Sequence, residues 1–221
     1  IKKQEMTLLE KINIRKANSQ KSMAILIDPD KVGDLASLKT LKSLAKECYV
    51  DFFFVGGSLL THDNFNEVVK ELKSDCDIPL VIFPGNNMQI SNEADGLLLL
   101  SLISGRNPDF LIGQHVNAAP LLKKSSLEII STGYMIINED HNTAVSYMSN
   151  TMPIPPEKYS IATSTALAAE MLGMSLIYLD AGSGAKNSIS AKMIRKVKEA
   201  IQLPVVVGGG INSSAKASEA L

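Results

Sequence analysis

Seven short apolar runs, rich in β-branched and aromatic residues and separated by longer amphipathic stretches, restrict this chain more than any other feature. The runs are Met23–Asp28, Phe52–Val55, Pro79–Phe83, Gly96–Leu100, Leu127–Ser131, Leu176–Leu179 and Pro204–Val207. They are apolar almost continuously rather than alternately, as strands of a parallel sheet buried on both faces must be. Helical spacing fills the gaps, over Leu35–Glu47, Asn64–Lys73, Phe110–Leu122, Lys158–Leu172 and Ala191–Ala200. Asp34, Asp63 and Ser190 stand where N-caps belong, and Gly173 stands where the fifth of these helices should stop.

Seven such units without a linker read as a barrel rather than an open sheet. A (β/α)8 barrel needs one more strand and about 250 residues, and this sequence has 221. The expectation is therefore an α/β fold, a modified TIM (β/α)8 barrel with its last strand and helix missing from the sequence. Residues 1–221 read as a single barrel domain. Residues 1–20 hold an extra helix, with Leu8, Leu9 and Ile12 on one face. Residues 134–156, with three prolines and a strand-like start at Tyr134, read as an irregular insertion of the kind that forms lids or binding loops.

Charge and composition narrow the function. Lys and Arg total 22 against 23 Asp and Glu, a formal charge of −1, which argues against a nucleic-acid partner. No apolar run approaches the roughly 20 residues of a membrane span, and Ile1–Glu5 leads into no signal-peptide core. Two cysteines, Cys48 and Cys76, lie in no metal-type spacing and read as reduced thiols of a cytoplasmic protein. Neither a Gly-x-Ser-x-Gly elbow nor a P-loop nor His-Glu-x-x-His occurs. His62, His115 and His141 are scattered and read as ordinary polar residues.

In such a barrel the reacting groups gather at the C-terminal ends of strands. The sixth run ends in Tyr178-Leu179-Asp180-Ala181-Gly182-Ser183-Gly184 and the seventh in Gly208-Gly209-Gly210. Glycines let backbone N–H groups approach an anion closely, so two such loops on neighbouring strands suit a phosphate; a Gly triplet also serves as a plain tight turn. Asp180 is placed to accept a hydroxyl proton or hold a polyol hydroxyl, or else to fill a polar rim, and Tyr178 shares its strand face. Asp28 and Asp30, with Ser58 at the next strand end, suit a hard Mg2+ ion, although Asp-Pro-Asp is equally turn chemistry.

Taken together, Ile27-Asp28-Pro29-Asp30-Lys31, Phe54-Val55-Gly56-Gly57-Ser58, Arg106-Asn107-Pro108, Tyr178–Gly184 and Val207–Ile211 resemble the geranylgeranylglyceryl phosphate synthase family in order over nearly the whole chain. The N-terminal helix and Asp-Pro-Asp-Lys are closer to its second group than to the related heptaprenylglyceryl phosphate synthases. The resemblance implies a Mg2+-dependent prenyltransferase that forms an ether bond between sn-glycerol 1-phosphate and geranylgeranyl diphosphate, the first step of archaeal-type ether lipid synthesis. By motif match, Asp28 and Ser58 contact the metal. Tyr178, Leu179, Asp180, Ala181, Gly182, Ser183, Gly184, Gly209 and Gly210 hold the glycerol phosphate, with Asp180 as the base where many relatives carry Glu. Arg106 is the hypothetical contact for the polyprenyl diphosphate. A family Gly-Asn pair after strand 8 lies beyond this sequence. A homo-oligomer and transient contact with a membrane surface are expected of such an enzyme. Two alternatives remain: another phosphate-binding barrel enzyme (an isomerase or a flavin-dependent one), and a non-catalytic carrier of a phosphorylated lipid precursor.

Overall fold

A computed structural model describes residues 6–138 and 143–221; His141 lies outside the described residues. Its strands are β1 (Ala24–Ile27), β2 (Phe52–Val55), β3 (Leu80–Ile82), β4 (Gly96–Leu102), β5 (Glu128–Ile136), β6 (Leu176–Asp180) and β7 (Val205–Gly208). They stand in chain order in one sheet, and every described pairing is parallel. Helices are α1 (Leu8–Ala17), α2 (Leu35–Glu47), α3 (Phe65–Lys73), α4 (Gln114–Leu122), α5 (Ala144–Ser149), α6 (Tyr159–Met171), α7 (Ala191–Ala200) and α8 (Ser214–Ala220). Strand, helix, next strand in order is the topology of a (β/α) barrel.

Two compact units make up the chain. The first holds the residues up to Leu98 together with Asn117–Ile130, and the second holds Leu99–Val116 with Ser131–Leu221. In the first, β2 is buried along its whole length, and α3 packs through Phe65, Val68, Val69 and Leu72, one helical stripe. Glu128 receives the N-terminus of α1 on its carboxylate, from Leu8 N–H and Leu9 N–H. Leu8 sits in the notch left by Gly96, where an added Cβ would come within 2.6 Å of its Cδ1. In the second unit, Ala162, Ala166 and Ala169 of α6 meet Met135, Ile177 and Leu179 in a buried core. Small residues let the helix approach the strands closely.

Several local expectations hold. Asp34 and Ser190 cap α2 and α7 through their side chains. Gly173, at φ +79°, follows the end of α6 in the left-handed conformation that closes helices. Both cysteines are free thiols, Cys48 exposed and Cys76 buried. No helix among the described residues is long and apolar enough to cross a membrane.

Three expectations change. Asp63 is not the cap of α3: Asn64 takes that position and makes no capping bond, and its side-chain Nδ2 donates to the Pro29 carbonyl at 2.9 Å. The segment over Phe110–Leu122 is a wide π turn at Asp109–Gly113 followed by α4. The insertion does not begin at residue 134, since Tyr134–Ile136 complete β5. Gly133 lies within this strand, where a Cβ would come within 2.8 Å of Ile177 Cδ1.

Residues 83–95, between β3 and β4, contain no helix. Parallel strands require a crossover of this length, and a helix usually supplies it. Here an irregular loop does, and it buries two polar side chains, Gln89 and Ser91.

Candidate active site

The register of the second unit brings the central group together. Tyr134 lies opposite Tyr178, and Ile136 lies opposite Asp180. Asp180 in turn lies opposite Gly208 on β7. Side chains two apart share a strand face, so Tyr178 and Asp180 point the same way. Tyr134 and Tyr178 meet edge to face at 5.7 Å between ring centroids.

Asp180 is 7% exposed. Its Oδ1 accepts the Gly182 N–H at 2.7 Å, and its Oδ2 accepts the Tyr134 hydroxyl in a short hydrogen bond. Burial pushes the carboxyl up, while the Tyr134 and Gly182 bonds pull it back down. Burial, then the adjacent Asp180 charge, holds the Tyr134 phenol well above its ordinary range. The same two causes raise Tyr178. Both phenols therefore stay protonated, Tyr134 donates to the carboxylate, and each carboxylate oxygen keeps a lone pair for a further proton.

Glycine turns enclose this carboxylate. Gly209 adopts φ +79°, and a Cβ there would stand 2.5 Å from Asp180 Oδ1 and 2.6 Å from Gly182 N. Gly208 serves differently: it is part of β7, and its missing side chain makes room for the Tyr178 hydroxyl, 2.3 Å from where a Cβ would be. Lys216 of α8 joins the two turns, donating to Lys186 O at 2.9 Å and to Gly210 O at 3.1 Å. Ser183 and Gly184 form the exposed tip of the first turn. Leu179 and Ala181 contribute backbone only, because their side chains belong to the core. Tyr134 was missed in the sequence because it was read as insertion. Once β5 is extended, it becomes a tyrosine near a strand's C-terminal end, which is the signal that would have found it.

Arg106 lies on the loop after β4, and its guanidinium donates to the Gly105 carbonyl at 2.7 Å. It borders a groove of about 670 Å³ with Ile103, Leu111, Ile161, Ala168 and Leu172 on the walls.

The candidate metal residues are in the first unit, and the structure separates them. Asp30 is occupied: its Oδ2 accepts both the N–H and the hydroxyl of Thr61 at 2.7 Å, and its Oδ1 accepts the His62 N–H at 3.2 Å. These bonds, Thr61 first, hold its carboxyl down at about 2. Asp28 caps the short turn at Pro29–Lys31 through Oδ1 and pairs with the exposed Lys31 at 3.2 Å through Oδ2. Its Oδ1 also faces Gly57, only 3.1 Å from the place of an absent Cβ. Bare backbone beside a carboxylate, with Ser58 next in sequence, is an all-oxygen donor set that fits Mg2+. That ion binds through one or two carboxylates plus substrate phosphates and keeps several waters. Among the described residues no three His, Cys, Asp or Glu side chains converge as a protein cage, and Mg2+ does not need one.

A parallel (β/α) barrel with a buried carboxylate under glycine turns at its strand ends belongs with the TIM-barrel proteins that carry their chemistry on that face. The model of the PcrB family matches residues 15–221, and the chain is a member of that family. It is 53% identical over 206 residues to a geranylgeranylglyceryl phosphate synthase of Spirosoma linguale, covering 93% of this chain and 82% of that protein. The likeness to the enzyme of that name from Chitinophaga pinensis is also 53%, over 92% of this chain and 80% of the relative. Among solved structures, it superposes on the (S)-3-O-geranylgeranylglyceryl phosphate synthase of Thermoplasma acidophilum, crystallised with sn-glycerol-1-phosphate. That match has a TM-score of 0.90 and 30% identity, over 98% of this chain and 86% of that one. The modified TIM-barrel fold expected from the sequence is thereby established.

Proposed function

We propose that this protein is a prenyltransferase that joins sn-glycerol 1-phosphate to geranylgeranyl diphosphate through an ether bond, releasing pyrophosphate. The observation that carries the reading is the buried Asp180, oriented by Tyr134 and Gly182 beneath the Gly209 turn. It occurs in a chain 53% identical to proteins named for that synthase.

In the second unit, the Gly182–Gly184 and Gly209–Gly210 turns take the phosphate, their backbones free to come close because no side chain intervenes. Asp180 accepts the proton of the attacking glycerol hydroxyl as the new C–O bond forms, while the allylic C–O bond to the diphosphate breaks. The Tyr134 hydrogen bond favours the ionised carboxylate and fixes its orientation, so that little reorientation remains for the chemical step. In the first unit, Asp28 and Ser58 are the residues that would hold Mg2+, which when bound would supply Lewis-acid stabilisation of negative charge on the leaving pyrophosphate. Arg106 is a further contact for the diphosphate. The groove beside α6 offers apolar walls to the prenyl tail, and each buried CH2 adds about 0.8 kcal/mol. The product is a lipid, which fits a transient membrane-surface contact, and a homo-oligomer remains part of the proposal.

Product formation from sn-glycerol 1-phosphate and geranylgeranyl diphosphate, with Mg2+ or with EDTA, tests the reading. Mg2+-dependent ether product from this enantiomer, and not from sn-glycerol 3-phosphate, is the expected result. Absence of product with every prenyl length would overturn it.

A further inference from the structure

The helix-free loop between β3 and β4 sends one side chain back to the end of β2. Gln89 is 3% exposed, and every polar contact of its amide is with loop backbone. Nε2 donates to Gly57 O at 2.8 Å. Oε1 accepts Gly57 N–H at 3.2 Å and Gly85 N–H at 3.1 Å. The amide cannot be turned the other way: its NH2 would then face two N–H donors and its oxygen a carbonyl.

Gln89 thus binds both peptide groups of Gly57 as a neighbouring strand would, just past the point where β2 and β3 stop pairing at Val55 and Ile82. The fit is tight on each side. A Cβ on Gly56 would collide with the Phe83 carbonyl at 2.0 Å and with Gln89 Oε1 at 2.9 Å. A Cβ on Gly85 would stand 2.0 Å from Gly57 O and 2.8 Å from Ser58 Cα. Gly57, held in this way, is the residue whose bare backbone faces Asp28 Oδ1, and Ser58 is the next link of the chain.

We infer that Gln89 is a positioning residue for the cation: it fixes the Gly57–Ser58 backbone against Asp28, so that the hydroxyl and the carboxylate can serve one divalent ion and its attached diphosphate. The role rests on the reading of Asp28 and Ser58 as the cation-binding pair. Gln89 touches neither ion nor substrate; it acts through Gly57. Outer-shell partners of this kind are worth about 10- to 100-fold in metal affinity.

The test uses the whole protein and a readout that does not depend on turnover. Free Mn2+ is followed by its EPR signal as protein is added in the presence of inorganic pyrophosphate. Gln89→Met keeps the length and removes all three hydrogen bonds, so Mn2+ should bind about 10- to 100-fold more weakly. In steady-state assays the Mg2+ concentration for half-maximal activity should rise in parallel, with KM for sn-glycerol 1-phosphate changed less than about twofold. Circular dichroism establishes that the variant is folded. If Gln89→Met does not fold, Gln89→Leu decides, since it is also uncharged and likewise removes the three hydrogen bonds. Weaker Mn2+ binding is expected there too. Mn2+ bound by either folded variant as tightly as by the native protein overturns the proposal. Asp28→Asn is the companion measurement. If it leaves Mn2+ binding unchanged, the cation reading itself is wrong and the role of Gln89 falls with it. If it weakens binding while the Gln89 variants do not, only the role of Gln89 falls.

Discussion

Asp180 holds a carboxylate where water scarcely reaches, and its two hydrogen bonds offset only part of that cost. Its pKa is higher in the folded chain than in the unfolded one. Its contribution to stability is therefore full below the unfolded carboxyl range and is lost as pH rises through the raised value. Asp180→Asn should thus melt at a higher temperature than the native protein at pH 7, with kcat lower by about 10²- to 10⁴-fold; a lower melting temperature would contradict this account. Tyr134→Phe removes a bond that lowers the Asp180 pKa. The acid limb of the pH–rate profile should move to higher pH, and kcat at neutral pH should fall about tenfold or more, the effect of losing a charge-assisted hydrogen bond. Asp30 has the opposite sign: held at about 2 by Thr61 and His62, it stabilises the fold above its unfolded value and loses that contribution as pH falls through about 2. Asp30→Asn should flatten the acid side of the melting-temperature profile and leave the Mg2+ requirement unchanged, whereas Asp28→Asn should raise that requirement. In the sequence, residue chemistry alone left Asp28 and Asp30 as equal candidates, and only the family resemblance singled out Asp28. What separates them is a contact with Thr61, 31 residues away, and no local pattern encodes such a contact.

Elements were legible wherever the pattern was purely local. Continuous apolar runs marked all seven strands, and the caps at Asp34 and Ser190 lie within one turn of what they cap. β5 was cut short at Ser131 because its continuation over Thr132–Ile136 shows in the pairing with Leu176–Asp180, a contact between segments far apart in sequence. Tyr134 was lost from the candidate site with it. Gly208 is a similar case: in sequence it belongs to a phosphate-type triplet, and in the fold it is the last residue of a strand, shaped to Tyr178. At this scale the groove beside α6 makes its own prediction. Ala168 faces that groove, so Ala168→Trp should fill it and shift the preferred substrate from geranylgeranyl diphosphate to shorter prenyl diphosphates, measured as a ratio of kcat/KM values. An unchanged ratio would place the tail elsewhere.

At the scale of the whole molecule, binding of the small substrate should appear as a stability change. A ligand present at 100 times its Kd adds about 2.7 kcal/mol. For a chain of this size each kcal/mol shifts Tm by about 2–4 °C, so saturating sn-glycerol 1-phosphate should raise Tm by roughly 5–11 °C. The sn-glycerol 3-phosphate enantiomer should give a clearly smaller shift, read by differential scanning fluorimetry. Fold class was legible at this scale because seven repeated units leave few topologies open. The ties that hold the loops within each unit were not, because Lys216 in the second and Gln89 in the first bond to backbone groups 30 and 32 residues away.

The interlock of Tyr178 and Gly208 also sets an order on sequence change. A methyl group at position 208 collides first with the phenolic oxygen, at 2.3 Å, and less severely with ring carbons at 3.0 Å. Loss of the hydroxyl at 178 relieves the worst of that collision, whereas a side chain at 208 gains nothing while the tyrosine remains. Lineages of this fold should therefore pass through Phe at position 178 before they acquire Ala at 208. The reverse order leads through an intermediate in which the Tyr178 ring must shift.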